Sequence, residues 1–491
     1  MTTNMLSDKH IENNDAAGQV AQAVRTTGYY TYAEEAKLLR KIDLRLMPLL
    51  ILLHLFKNLD NNNIGFVAVM NKGTDSNVLK ELGFSRDQWA WNATVFYIPY
   101  IIFQFPSTLL FKVSTPRLHQ CRMAFLWGTV TACQAAVTNK AGLLSLRFLL
   151  GAFEAGMYPG MLAQIVFWYR PDEVSVRFAI FGVLEAFSSI LTALIVYGLQ
   201  FADGKGNLSG WQWVFLLEGL VTIICSIAFG LWQPNYPDDS HWLTEEEKAF
   251  LIARLPPGSP KTTDKKFVLS DVWGSLKKPI TTYLMLIKMF QSLGSAGPNF
   301  WTPSLLSNLG FTAPKESPLI TMPPLLLAVI SGIFFSYLVD NTRLSTPVLV
   351  TGSLTISIGC FIVLSIISNR GVIYGFVNLS IASLSANMAP VTAWMTLSLH
   401  GTTEVGFAFA LADSLVQLGA LTAPHMFQEK YAPLFSKPLI ACIVFLFVAL
   451  ALSVVAWSAD KDEIHHVLNE KRGKLQENRK NCHMKPIYKD E

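Results

Sequence analysis

Three stretches of this chain carry no charged side chain at all: the 24 residues between Asp87 and Lys112, the 26 between Arg343 and Arg370, and the 33 between Arg370 and Glu404. Each is longer than the roughly 20 apolar residues an α-helix needs to cross a bilayer. Only 15% of the 491 residues are charged and 51% are hydrophobic, whereas soluble domains run at about 25% charged. The charges crowd into the two tails and one middle segment. A soluble enzyme, a secreted disulfide scaffold and a nucleic-acid-binding module are thereby excluded. Six cysteines (Cys121, Cys133, Cys225, Cys360, Cys442, Cys482) show no C-x-x-C pair and no metal-ligand spacing. Five of them lie in or beside apolar segments, where a free thiol behaves as a small hydrophobe. Residues 1–41 are polar and carry no signal-peptide pattern, so the first membrane helix serves as its own insertion signal.

Apolar windows of 17–25 residues give twelve spans. They fall at 42–69, 88–111, 118–138, 141–166, 177–201 and 211–232, then at 280–306, 317–339, 345–367, 371–398, 404–428 and 437–458. The expected fold is an all-α integral membrane protein with twelve transmembrane helices in two pseudo-symmetric six-helix bundles, 42–232 and 280–458. A polar central loop, 233–279, joins them, and tails of 1–41 and 459–491 flank them. Two equal bundles with a loop between point to a transporter whose site lies between repeated halves. Lys and Arg collect on the side of the N-terminus (Lys37, Arg40, Lys41, Arg45, Lys112, Arg117, Arg122, Arg170, Arg177 and the central loop), which places both termini in the cytoplasm. The loop after span one is an exception, its Lys72, Lys80 and Arg86 being balanced by Asp75, Glu81 and Asp87. The sequon Asn207-Leu208-Ser209 then faces outward, where glycosylation at Asn207 is open to it.

Smaller signals are local. Thr244-Glu245-Glu246-Glu247 is a capping box that opens a short amphipathic helix through Leu255, its charges forming a solvated face. Residues 33–46 look like an interfacial helix leading into span one. Trp211, Trp213 and Trp457 sit at span ends as belt residues. His465-His466 is a weak metal signal in a polar tail.

Ionisable residues inside spans are informative because each costs about 2.5–3.5 kcal/mol on insertion scales and faces a wet cavity or a partner. They are Asp60 in span one, Arg147 and Glu154 in span four, Glu185 in span five, Glu218 in span six, Lys288 in span seven and Asp413 in span eleven. Arg147, Gly151, Glu154 and Tyr158 share one stripe of a helix. Arg147 and Glu154 are two turns apart, about 10.5 Å along the axis, so Asp60 is the natural group to bridge them. Gly151 removes bulk between them, Gly156 and Gly160 permit close helix approach, and Pro159 offers a bend. A carboxylate that alternates between an Arg and a proton can couple transport to a proton gradient; the alternative for Asp60 and Glu154 is a fixed ion pair. Tyr97, Gln291, Asn299, Trp301, Asn378 and Asn387 are further polar or aromatic groups that could face the cavity.

Four motifs are familiar: Asn58-Leu-Asp-Asn-Asn-Asn-Ile-Gly65, Arg147-Phe-Leu-Leu-Gly-Ala-Phe-Glu-Ala-Gly-Met-Tyr-Pro-Gly160, Gly210-Trp-Gln-Trp-Val-Phe-Leu-Leu-Glu-Gly219 and Trp242-Leu-Thr-Glu-Glu-Glu-Lys248. Through them the chain resembles the anion:cation symporters of the major facilitator superfamily, in their fungal allantoate-permease-like branch, over residues 40 to 460. The resemblance implies alternating access and proton-driven uptake of a small organic anion or vitamin by a monomer, with no cofactor. Similar fungal permeases carry allantoate, nicotinate, pantothenate or biotin. It passes proton coupling to Asp60 and Glu154, and the role of charge partner or substrate ligand to Arg147. Asn61 departs from the Leu-Asp-Arg of many relatives, so one cavity cation is missing unless Lys288 takes it over. Asp413 departs from a common Asn, and with Lys288 forms either a structural salt bridge or a substrate-reading pair. Asp340 and Arg343, spaced Asp-x-x-Arg, resemble the superfamily's Asp-x-x-x-Arg type of gate between spans eight and nine; Lys112 and Arg117 in the matching loop lack the acid. Glu218 fits a helix-anchoring acid, and Glu185 either the cavity or bundle packing.

The leading reading is an importer at the plasma membrane, with solute, protons and lipid as its partners and no nucleic acid. The alternative is a proton antiporter that exports a drug or secondary metabolite. Such exporters carry a Gly-rich, Pro-containing span five, whereas this one reads Gly182-Val-Leu-Glu-Ala-Phe-Ser-Ser-Ile-Leu-Thr-Ala193. The short C-terminal tail does not favour a non-transporting receptor, and no nucleophile triad or His-box suggests an enzyme.

Overall fold

The structure, a computed structural model, describes residues 32–170, 173–254, 278–308, 321–341, 346–367, 369–397, 399, 402–426 and 436–459. Every regular element among them is helical. They are α1 (Tyr32–Val67), α2 (Trp91–Val113), α3 (Pro116–Gln134), α4 (Lys140–Glu154), α5 (Met157–Trp168), α6 (Val174–Leu199), α7 (Gly210–Trp232) and α8 (Glu245–Ala253), followed by α9 (Pro279–Asn308), α10 (Met322–Asn341), α11 (Thr346–Ile366), α12 (Arg370–Ser385), α13 (Met388–Leu397), α14 (Thr402–Met426) and α15 (Ser436–Ala459), with a few one-turn helices in the loops. Side-chain caps start several of them: Thr115 accepts from Leu118 N–H with Pro116 in the first turn, Asn139 accepts from Gly142 N–H, and Asn369 accepts from Gly371 and Val372 N–H.

Six helices have the length and hydropathy to cross a membrane by composition: Asp87–Phe111, Ile180–Ala202, Gly210–Trp232, Thr346–Ile366, Arg370–Thr392 and Lys437–Ala459. Two shorter apolar stretches, Met322–Phe335 and Phe407–Ala423, accompany them. The other expected spans fall short for physical reasons. Polar and ionisable side chains dilute α1, α3 and α9, and a backbone break splits span four. Large apolar side chains such as Leu110, Ile224, Leu231, Ile330 and Phe447 point outward, as a lipid-facing surface requires. Polar ones such as Gln104, Gln164, Ser188 and Ser357 are buried instead.

The expected interfacial helix before span one is not a separate element; it runs without interruption into α1, with Pro48 inside. Span four breaks after Glu154, where Gly156 takes φ +78° between α4 and α5. Span ten breaks after Ser385 at Ala386-Asn387. In both, Pro follows three residues later (Pro159, Pro390), within the string Ala-x-Met-x-Pro at 155–159 and 386–390. Proline removes the N–H that would bond the carbonyl four residues back and crowds it. Those carbonyls belong to Ala155 and Ala386, the breaks themselves. The same device at the fourth span of each half is the mark of a repeat.

Glycines set the close crossings. An added Cβ on Gly151 would lie 2.1 Å from the Phe96 carbonyl oxygen, so Gly151 seats α4 on α2; it does not clear space between Arg147 and Glu154 as its stripe suggests. A Cβ on Gly219 would lie 2.3 Å from Ala132 N, drawing α7 onto α3, and one on Gly419 would lie 2.2 Å from Ser292 Oγ, drawing α14 onto α9. Gly151→Ala and Gly219→Ala are each expected to cost about 1–3 kcal/mol through overpacking, read as a lower melting temperature of the purified protein. Gly182→Ala, which meets nothing within 4 Å, is expected to leave it unchanged. The first-half and second-half helices meet along two seams, α2 on α14 and α6 on α10.

On the face where α1 begins, the central-loop segment is docked against the helices. Its capping box forms as expected and the helix ends at Ala253; Glu245 and Glu246 are exposed as expected, whereas Glu247 and Arg254 are engaged by other segments. Lys41 Nζ pairs with Glu247 at 2.7 Å, and Arg254 reaches Glu35 at 3.1 Å and Glu173 at 2.9 Å. Partial burial opposes the charge on Glu247, but the bond from Lys41 and the N–H of Thr244 outweigh it and hold that carboxyl below its ordinary range. Trp242 stacks on Trp168 at 5.7 Å. On the opposite face the loop after α1 forms a cap: Glu81 Oε2 accepts from Ser209 Oγ and from Trp211 Nε1, both at 2.7 Å. Trp211 is buried in that cap and is not a belt residue. Asn207 lies exposed in the same region, on a turn with φ +60°.

Candidate functional site

Helix α1 carries two adjacent polar stripes, and they face different neighbours. Asp60 and Asn63, at i and i+3, turn toward α3, α4 and α7; Lys57 and Asn61, at i and i+4, turn toward the break between α4 and α5. The charges of the first half are thereby sorted into two pockets.

In the deeper pocket, Trp127 Nε1 donates to Asp60 Oδ2 at 2.6 Å, Asn63 Nδ2 donates to Glu218 Oε2 at 2.7 Å, and Arg147 Nη2 donates to Asn63 Oδ1 at 3.3 Å. Arg147 lies over the Phe215 ring, 5.4 Å from its centroid. Among the described residues Arg147 has no carboxylate within 4.0 Å. Asp60 therefore does not bridge Arg147 to Glu154; a shared asparagine links Arg147 to Glu218 instead. The physical reason is register, because Asp60 falls on the stripe that faces Trp127 of α3.

In the second pocket, Asn61 Nδ2 donates to Glu154 Oε1 at 2.8 Å and Lys57 Nζ lies 3.5 Å from the same oxygen. The Lys57 ammonium also sits 5.7 Å from the Tyr100 ring and 6.0 Å from the Tyr158 ring, close enough for cation–π attraction. One turn back, His54 Nε2 lies 2.9 Å from Asn58 Nδ2 and 3.1 Å from the Phe181 carbonyl oxygen. Lys57, and not Lys288, is thus the lysine beside Glu154. Lys57 and His54 are ionisable groups in the middle of span one, and the rule that singled out Asp60 applies to them equally. Both lie within two helical turns of Asp60 in the sequence.

Lys57, Asp60, Arg147, Glu154 and Glu218 are all between 0% and 6% exposed. Around them runs a crevice of less buried side chains. Asn61, Tyr97, Tyr158, Lys288, Asp413 and Gln417 are half-buried, and Glu185 is exposed although it lies in the middle of α6. Glu185 and Asp413 both lie in the electrostatic field of Lys57. Asp413, across the α2–α14 seam, accepts from Tyr100 Oη at 3.2 Å and Gln104 Nε2 at 2.5 Å through Oδ2, and from Gln417 Nε2 at 3.4 Å through Oδ1. Ser414 Oγ donates to Gln104 Oε1 at 2.6 Å. Among the described residues no ion pair within 4.0 Å joins Asp413 to Lys288, so the structural salt bridge is not formed; uncharged donors hold the carboxylate.

The carboxylates differ in how fully they are satisfied. Asp60 Oδ1, Glu154 Oε2 and Glu218 Oε1 are buried oxygens without a hydrogen-bond donor among the described residues, while both oxygens of Asp413 have one. In the second half, Asn387 Nδ2 donates to Gln291 Oε1 at 3.3 Å and Gln291 Nε2 to the Leu384 carbonyl at 3.3 Å, tying the span-ten break to α9. The side chains of Asn299, Trp301 and Asp340, and the whole of Arg343 and of His465-His466, lie outside the described residues.

The family profile described as Major Facilitator Superfamily matches residues 50–424. The chain belongs to the Major Facilitator Superfamily. An uncharacterized transporter of Schizosaccharomyces pombe is 30% identical over 403 residues, covering 81% of this chain and 78% of that protein. A high-affinity nicotinic acid transporter of Saccharomyces cerevisiae is 28% identical over 424 residues, covering 86% and 77%. Among solved structures, a bacterial homolog of the human lysosomal transporter Spinster, inward-facing and unoccupied, aligns with a TM-score of 0.60 at 15% identity over 84% of this chain and 96% of that one. The chain is a multi-pass membrane transporter of the Major Facilitator Superfamily, not an enzyme.

Proposed function

We propose that this transporter is a proton-coupled importer of a small organic solute bearing a carboxylate, working by alternating access between bundles 42–232 and 280–458 at the plasma membrane. Asp60 and Glu154 take the protons. The observation that carries the reading is their half-satisfied state. Each is buried, with one oxygen bonded and the other bare. A bare buried carboxylate oxygen is destabilised by about 1–3 kcal/mol or more, and a proton on it relieves that penalty. Protonation of Glu154 also releases Lys57, which then faces the crevice as a cation for the solute's carboxylate. Arg147, tied to Asn63, keeps the deeper pocket in register.

Uptake of a labelled panel of vitamins and ureides into cells, with and without a proton uncoupler, tests this. Accumulation that collapses with the uncoupler is expected; accumulation that survives it contradicts coupling.

A further inference from the structure

This inference rests on the importer reading and narrows what the crevice accepts. Among the described residues, five carboxyl groups meet in or beside it: Asp60, Glu154, Glu185, Glu218 and Asp413. Three cations oppose them: Lys57, Arg147 and Lys288. His54, were it charged, would make four, still fewer than the acids. Two uncompensated negative charges at this depth are costly. Acids outnumber bases here, so a solute that brings a cationic or hydrogen-bond-donating group along with a carboxylate adds less uncompensated negative charge than a dicarboxylate does.

A cation and an anion of the crevice flank one tyrosine. Lys57 Nζ, whose carboxylate partner is Glu154 at 3.5 Å, lies 5.7 Å from the Tyr100 ring, and the hydroxyl of the same tyrosine donates to Asp413 at 3.2 Å. A single tyrosine side chain therefore spans from the cation to the opposing anion. Glu154 Oε2 is fully buried and has no hydrogen-bond donor among the described residues. Asp413 is held by uncharged donors on both oxygens, from Tyr100, Gln104 and Gln417.

We propose that the crevice takes an amphoteric solute: one carboxylate, met by Lys57, and one protonated or hydrogen-bond-donating nitrogen about a small ring's width away, met by Asp413.

The purified full chain is titrated with four probes on one benzene ring, namely benzoate, terephthalate, benzylamine and 4-(aminomethyl)benzoate, reading the rise in melting temperature, and each probe is then followed as uptake into proteoliposomes. The zwitterion is expected to bind at least about tenfold more tightly than benzoate or terephthalate. Asp413→Asn is expected to bring the zwitterion and benzoate within about twofold of each other, and Lys57→Gln to weaken all three carboxylate-bearing probes but not benzylamine. Benzoate or terephthalate binding as well as the zwitterion, or a zwitterion that gives no stabilisation, overturns the inference. A zwitterion preference that holds while uptake ignores an uncoupler supports the inference and removes the coupling reading instead.

Discussion

Asp60→Asn and Glu154→Gln are each expected to reduce uphill uptake by at least about 100-fold, a loss near 2.7 kcal/mol in driving force, while solute exchange down its own gradient stays within a few-fold of the parent. The amide keeps the shape of each side chain and one oxygen. In Asp60→Asn that oxygen can still accept from Trp127 Nε1, and in Glu154→Gln it can still accept from Asn61 Nδ2. What it cannot do is gain or lose the proton. An amide also places a donor where the bare oxygen now stands, so neither variant should unfold, and the melting temperature provides that control. Either variant that still concentrates solute against a gradient shows that the acid is wrongly assigned.

Lys57→Ala is expected to have the second-largest effect. Removing one member of a buried pair costs about 3–5 kcal/mol when the other charge is stranded, less here to the extent that Glu154 takes a proton. Solute affinity should fall by about 30–100-fold, since roughly 2–3 kcal/mol of charged contact is lost. The telling variant is the double one, Lys57→Ala with Asn61→Arg. Asn61 already contacts Glu154 at 2.8 Å, one helical turn from Lys57 on the same stripe, so an arginine there can restore the cation to the same carboxylate. Affinity in the double variant is expected to return to within about tenfold of the parent. Failure of the double variant, with its melting temperature intact, contradicts the idea that Lys57 stands in for the missing cation.

Much of this architecture was legible in the residues. Charge-free runs longer than a bilayer is thick force membrane helices, and Pro159 beside Gly156 marks the break in span four. The capping box Thr244–Glu247 starts a helix where its chemistry requires one. What the chain did not reveal is register between helices. Asp60 and Asn61 are neighbours in sequence, but one faces Trp127 and the other Glu154. The assumed Asp60 bridge therefore fails, although every residue in it is buried nearby. The α4 stripe places Gly151 between Arg147 and Glu154, whereas a crossing helix, invisible in a single-helix projection, brings the Phe96 carbonyl against it. Asp413 has the opposite lesson. Its partners Tyr100 and Gln104 lie more than 300 residues away on α2, so no local pattern could distinguish a satisfied carboxylate from a salt-bridged one. Lys57 was within reach of the simplest rule, that an ionisable residue inside a span needs a partner.

The central claim is that buried, half-satisfied acids in a crevice between the two halves carry protons inward with the solute. It is tested most directly by recording internal pH in proteoliposomes of the purified chain while a transported solute enters down its own gradient, with no pH gradient imposed. Acidification of the lumen that tracks solute entry, and that vanishes in Asp60→Asn and Glu154→Gln although the solute still enters, is the predicted result. Solute entry with no change of internal pH in the parent protein would contradict it.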